Sequence, residues 1–358
     1  MANTREMFYV GGRYVHHGAR GQLMQGQMYV EHLKPLSGTG QQQEQPYPVV
    51  FIHGGTRTGA DWLTKPDGNP GWADYFLSRG YEIYLVDVPY RGRSPWNPSV
   101  EDVITFAAET IQERFTACAQ HGTWPQAKLH TQWPGSGLQG DPVFDRFFAS
   151  GVQMIRSQEK QELASQAALA ELLDRIGRPV LFLSHSNGGG TPYLVADVRP
   201  RLVKLIVSVE PKGPPFGGIG MLPGAGSQYG VCQTPITYEP PVVDPKKDLV
   251  KITRSAASPA LRDAILQADS PPPRKLVNLT HIPVLVVTGQ ASYHAEYDWC
   301  TVEYLRQAGV ETEHLQLAER GILGNGHMMF MEKNSDEIAS EIDRWIAQTL
   351  VRLSVDKT

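Results

Sequence analysis

Arg178-Pro179-Val180-Leu181-Phe182-Leu183-Ser184-His185-Ser186-Asn187-Gly188-Gly189-Gly190 is the stretch on which the reading of the fold turns. Val180 to Leu183 is a continuous apolar run with the length of a buried strand. Polar and small residues follow at once. Thr191-Pro192-Tyr193-Leu194-Val195-Ala196 then reads as a helix, with Pro tolerated in its first turn. A strand, a tight turn and a helix with Ser186 at the apex make a nucleophile elbow, usually written G-x-S-x-G. Here the pattern is Ser184-His185-Ser186-Asn187-Gly188, so Ser stands in place of the first Gly. Strand and helix pack closely in such an elbow, which calls for small residues two positions to either side of the nucleophile. Ser184 and Gly188 both meet that need. A glycine-rich turn with no chemistry is the plainer alternative, and the rest of the chain must decide between them.

The chain has 358 residues, which suits one large α/β domain with insertions or two domains. With 20% charged and 41% hydrophobic residues it reads as a folded protein rather than a disordered one. A net charge of -4 without a long basic run gives no footprint for nucleic acid or an anionic membrane surface. The first ten residues lack the apolar core of a signal peptide, and no apolar run has the length of a membrane span. Cys118, Cys232 and Cys300 lie far apart, odd in number and without metal-ligand spacing. A reducing, cytoplasmic location is therefore expected, with no metal and no organic cofactor.

Outward from the elbow, strands alternate with helices, which predicts a mostly parallel sheet with helices on both faces. Met7 to Val15 and Gly26 to Leu33 are two strands of an antiparallel ribbon, and Gly38 to Pro46 is a polar loop. Tyr47 to Ile52 is a buried strand ending in His53-Gly54-Gly55. A turn of that kind can free the Gly55 N–H from the sheet and aim it, with the Asn187 N–H, at a developing oxyanion. His53 reads as a structural hydrogen-bonder and not as a base. Tyr81 to Val86 is the next strand, and Asp87 to Ser94 a structural turn. Val103 to Cys118 is helical in period, followed by a loop rich in Pro, Gly and aromatics through Phe148. Leu202 to Val209 is a strand that ends at Glu210. Little pattern follows as far as Pro283, apart from a short helix expected around Pro259 to Ala268. The strand to Gly289, the helix Asp298 to Gln307, the strand Glu311 to Leu317 and the helix Ser335 to Leu350 complete the chain. The organisation is thus a core in three parts, 1–94, 159–212 and 283–358, interrupted by lid insertions at 95–158 and 213–282. Ordered insertions of that length usually carry function.

Ser186 needs a base and an acid, and an enzyme built on this elbow takes them in the order Ser…acid…His. Of 11 histidines, His327 is best placed, in the loop Gly324-Asn325-Gly326-His327 after the last strand. His294 and His314 rank behind it. The turn after the strand at Val287, Gly289-Gln290-Ala291-Ser292, lacks a carboxylate. The preceding strand ends in one, Glu210, long enough to reach the imidazole and hold its tautomer. Asp298 is the rival acid, and a salt-bridge role is the bland alternative for Glu210.

These features resemble the α/β-hydrolases, and within them the esterase 713-like group. The resemblance rests on His53-Gly54-Gly55 with Thr58-Gly59, on Gln132-Trp133-Pro134-Gly135 with Gly140-Asp141-Pro142-Val143-Phe144-Asp145, on Ser186 in its elbow, on Glu210-Pro211 with Gly213-Pro214-Pro215-Phe216, and on Asn325-Gly326-His327. It implies the α/β-hydrolase fold and a carboxylic ester hydrolase whose acid follows the sixth strand. Ser184 in place of the elbow Gly is a departure from the pattern. Superfamily members also open lactones, cleave C–C bonds and transfer acyl groups.

The expected function is hydrolysis of a small-molecule ester or lactone of fairly large apolar or aromatic character. Trp62, Trp133, Phe144, Phe216 and Tyr293 are the expected substrate contacts. A lyase or cyclase with the same triad, and a ligand receptor on a hydrolase scaffold, are the alternatives. Neither nucleic acid nor a membrane is expected as a partner, and a homodimer is left open.

Overall fold

Chain segments 2–36, 44–97, 102–218 and 226–355 are described in a computed structural model of the protein. The polar run 38–43 and part of the second insertion, 219–225, lie outside the described residues. Eight strands form one sheet: β1 (Asn3–His16), β2 (Gln22–Pro35), β3 (Val49–Ile52), β4 (Ile83–Asp87), β5 (Val180–His185), β6 (Val203–Val209), β7 (Val284–Thr288) and β8 (Thr312–Gln316). Their order across the sheet is β1-β2-β4-β3-β5-β6-β7-β8. From β4 to β8 neighbouring strands are parallel, while β1 pairs antiparallel with β2, and β2 with β4. Every residue of β3, β4, β5 and β7 is buried, as their unbroken apolar runs require for strands covered on both faces. The β1–β2 ribbon, half exposed, sits at the sheet edge.

Helices flank this sheet. Helix α1 (Trp72–Ser78) packs against the closing helix α6 (Ser335–Val355), and α3 (Gln158–Ile176) packs against the elbow helix α4 (Thr191–Val198). Ser157 caps α3 by accepting from Lys160 N, and Gly177 ends it in the left-handed conformation. Helix α5 (Asp298–Gln307) links β7 to β8. Within the first insertion, α2 (Pro142–Ala149) starts at an Asp141 cap that accepts from Val143 N and Phe144 N. No helix among the described residues is long and apolar enough to cross a membrane.

The insertions depart from the sequence reading in two places. Val103–Ile104 pairs with Met154–Ile155 instead of starting a helix, and helix begins only at Ala108. A wide π turn at Gln112–Thr116 and a break at Ala117 then divide the expected single helix. Around Pro259 to Ala268 there is no helix: Ala264–Gln267 is a strand paired antiparallel with Lys251–Arg254.

The register explains where chemistry can gather. His185 pairs with Val209, and Val209 with Val287. Ser186, Glu210 and the Thr288-Gly289 turn therefore leave adjacent strands at the same level of the C-terminal sheet edge, where open α/β sheets carry their sites.

Candidate active site

Strand β5 runs two residues past its apolar stretch, to His185, and Ser186 then adopts a φ of 54°. A non-glycine residue in that region is strained and persists only where its surroundings hold it. The Ser186 carbonyl accepts from Lys212 N at 2.9 Å, which ties the elbow to the turn after β6. The approach is tight: a Cβ on Gly189 would lie 2.6 Å from Pro211 Cα, and one on Gly188 would strike the His53 carbonyl.

The Ser186 hydroxyl lies 2.8 Å from His327 Nε2, and His327 Nδ1 lies 2.5 Å from Glu210 Oε2. Glu210, itself at a φ of 45°, is fully buried and accepts two further hydrogen bonds, from Gly289 N at 2.8 Å and from the Ser292 hydroxyl at 2.6 Å. A carboxylate that accepts at Nδ1 fixes the imidazole with Nδ1–H toward Glu210 and Nε2 free to accept from Ser186. Burial, and the neighbouring His185 and His294, hold His327 well below the usual imidazole range, so its ring is neutral at neutral pH. Burial and the Asp298 carboxylate push Glu210 above the ordinary carboxyl range, while the Ser292 and Gly289 donors oppose that shift.

The His327 ring is packed on several sides. Phe115 stacks on it at 5.1 Å, Tyr293 lies at 5.0 Å, and His294 stacks nearly parallel at 4.7 Å and 7°. His185 donates from Nε2 to the His327 carbonyl at 2.9 Å; burial pushes its own imidazole down to about 3. The rival acid is occupied elsewhere. Asp298 pairs with His294 Nδ1 at 2.8 Å and accepts from the Thr288 hydroxyl at 2.8 Å, and Thr288 in turn meets His314 Nε2 at 2.9 Å. Neither His294 nor His314 is hydrogen-bonded to Ser186. Glu210, His294 and His327 offer ligand atoms within 4.8 Å of one another, the one cluster among the described residues able to hold a metal ion.

Beside the elbow, the His53-Gly54-Gly55 turn is held from below. The Arg91 guanidinium donates to the Gly54 carbonyl at 3.2 Å, and His53 Nε2 accepts from Val88 N at 3.1 Å. Burial and Arg91 push His53 down to about 4, so it stays neutral and structural. A Cβ on Gly55 would lie 3.5 Å from Asn187 Cβ, so the two residues named for the oxyanion face each other. Asp87 accepts from Gly59 N, Arg93 N and Arg93 Nε, the structural turn that its sequence suggests.

A cavity of about 290 Å³ opens against this turn, lined by Thr56, Arg57, Phe106, Phe115, Phe147 and Phe148 among others. Of the five aromatic residues expected at the substrate, Tyr293 alone packs on a triad ring. Trp62 does not reach the site. It is fully buried, 4.4 Å from Phe330 and 5.2 Å from Phe51, because the 3-10 turn Gly59–Trp62 drops its ring into the core. Phe144 is likewise buried and stacks on Phe148 at 5.7 Å; Trp133 meets the Phe147 ring edge-on at 5.2 Å. Both therefore back the cavity wall and do not form it. Phe216 packs on Tyr304 at 5.3 Å with the Lys251 ammonium over its ring. The Phe115 and Phe147 walls were missed in the sequence: Phe115 lies in a stretch that reads as helical in period and Phe147 in a loop, and neither pattern says which ring faces a cavity. Phe148 closes the quoted insertion loop, and that aromatic run was the one signal available.

A family model described as the alpha/beta hydrolase family matches residues 49–341. A protein of Fungal sp. (strain ATCC 74256), named probable secreted lipase phiG, is 45% identical over 345 residues, covering 96% of this chain and 90% of the relative. Among solved structures, one described as a novel bacterial esterase is similar at 24% identity with a TM-score of 0.62, covering 97% of this chain and 96% of its own, a likeness of fold. With the strand order, the elbow and these matches in agreement along most of its length, the chain belongs to the alpha/beta hydrolase family.

Proposed function

We propose that the protein is a serine carboxylic ester hydrolase, acting on an ester or lactone with an apolar, aromatic-compatible acyl or alcohol part. The observation that carries this reading is the unbroken hydrogen-bond chain from Ser186 through His327 to Glu210, at 2.8 and 2.5 Å. In this mechanism the Ser186 oxygen attacks the carbonyl carbon as its proton passes to His327 Nε2. The negative charge on the carbonyl oxygen is met by the Gly55 and Asn187 N–H groups. Glu210 stabilises the imidazolium without itself taking the proton. The tetrahedral intermediate then collapses, the alkoxide leaves with the proton from His327, and an acyl ester of Ser186 remains. Water loses a proton to His327, attacks that ester and releases the acid, restoring the hydroxyl.

The phenylalanine-lined cavity beside Thr56 supports an apolar substrate group, because its wall Phe115 also stacks on the base. The relative named a lipase supports ester chemistry. In this reading the two insertions cover the site as a lid, and Tyr293 contacts substrate. The test is turnover of an apolar alkyl ester in oxygen-18 water. One labelled oxygen in the acid product is expected, with activity lost in Ser186→Ala. Product without label would point instead to a lyase or cyclase.

A further inference from the structure

Resting on Ser186 and His327 as nucleophile and base, we infer that His130 and Glu332, two residues outside the triad, position the base by clamping its loop. Glu332 follows the loop in sequence and turns its carboxylate back beneath it. The carboxylate is fully buried and accepts from Gly326 N at 3.0 Å and from Asn325 Nδ2 at 2.8 Å, the two residues just before His327. Its other contact is His130 Nε2 at 2.6 Å, from the first insertion. A buried carboxylate that accepts from a backbone N–H, an amide and an imidazole N–H is held in one orientation, and so are its donors. The fit leaves no slack: a Cβ on Gly326 would stand 2.9 Å from His130 Nε2 and 3.2 Å from Glu332 Oε1.

His130 does not act alone. The next residues of the insertion grip the same loop from its other end. Thr131 N and Gln132 N donate to the Gly324 carbonyl at 3.0 and 3.3 Å, Gln132 Nε2 donates to the Leu323 carbonyl at 3.0 Å, and Lys333 N donates to the Gln132 carbonyl at 3.0 Å. The loop that carries the base is therefore built as much from residues 130–132 as from its own strand and helix. None of these groups reaches Ser186. Their effect on catalysis passes through the place of one ring: a displacement of His327 by about 1 Å is enough to cost on the order of a hundredfold in rate. Substrate binding in the phenylalanine cavity involves neither residue, so the clamp is expected to govern kcat and leave KM alone.

The test compares His130→Ala, His130→Gln and Glu332→Gln with the wild-type chain, using a short-chain 4-nitrophenyl ester at 20 °C. Active sites are counted by titration with an organophosphonate, so that misfolded protein does not enter kcat. Thermal midpoints are recorded alongside. His130→Ala and Glu332→Gln are expected to lose kcat at least tenfold per titrated site, with KM within twofold. His130→Gln, whose Nε2 donor stands at a similar reach, is expected to recover a substantial part of the loss. A purely structural pair would lower the thermal midpoint and yield but leave kcat per titrated site within twofold in all three variants, and that result overturns the proposal. Where His130→Ala cannot be titrated, Glu332→Gln decides alone by the same criterion. Ser186→Ala is run in parallel: retained activity there would sink the nucleophile assignment, whereas an inactive Ser186→Ala beside unaffected His130 and Glu332 variants would sink the clamp only.

Discussion

Glu210 and Asp298 stand in one buried cluster, yet their oxygens face different imidazoles. Glu210 meets His327, and Asp298 meets His294 and Thr288. Glu210→Gln should therefore lower kcat by about three orders of magnitude, through loss of the correct tautomer. Asp298→Asn should cost less than about tenfold, since it touches the base only through the stacked His294 ring. Steady-state kinetics on both variants checks this, and the reverse ranking would reassign the acid. Ser186 and Glu210 were legible as candidates because each follows an apolar run, and His327 because its Gly-flanked loop follows the last strand; the structure brings the three within hydrogen-bond distance. The sequence could not separate Glu210 from Asp298 by more than strand position, since the decision lies in which oxygens are already engaged. Trp62 shows the converse: it follows the oxyanion turn in sequence, but one 3-10 turn sends its ring into the core.

Between elements, the first insertion is fastened to the oxyanion turn by one buried guanidinium. Arg57 donates to both Asp61 oxygens at 2.7 Å, to the Phe147 carbonyl at 3.0 Å and to Ser150 Oγ at 2.7 Å, with its charge over the Phe147 ring. Arg57→Ala would leave Asp61 buried without its partner and should destabilise the protein by about 3–5 kcal/mol. Urea unfolding measures it; a loss under 1 kcal/mol, the upper range for an exposed pair, would mean that the insertion is held by other contacts. The core strands were legible because burial on both faces leaves no choice but apolar residues. The four-residue pair of Lys251–Arg254 with Ala264–Gln267 was not, since each takes its conformation from the other.

Across the whole molecule, burial of imidazoles sets an acid limit on stability. His53 and His185 fall from 6.5 to about 4 and about 3 in the fold. Below 6.5 the unfolded chain takes protons that the folded chain refuses, so stability is complete above that pH and is lost as pH falls toward 4. Each group contributes up to about 1.4 kcal/mol per pH unit, and the raised Glu210 carboxyl offsets part of the loss. Urea unfolding at pH 5 should thus give a free energy about 2 kcal/mol below that at pH 7; equal values would contradict neutral burial of these rings. The most direct measurement of the central claim is peptide mapping after reaction with a fluorophosphonate. The adduct should sit on Ser186 and form far more slowly in His327→Ala. An adduct on any other residue, or labelling that persists in Ser186→Ala, would contradict it.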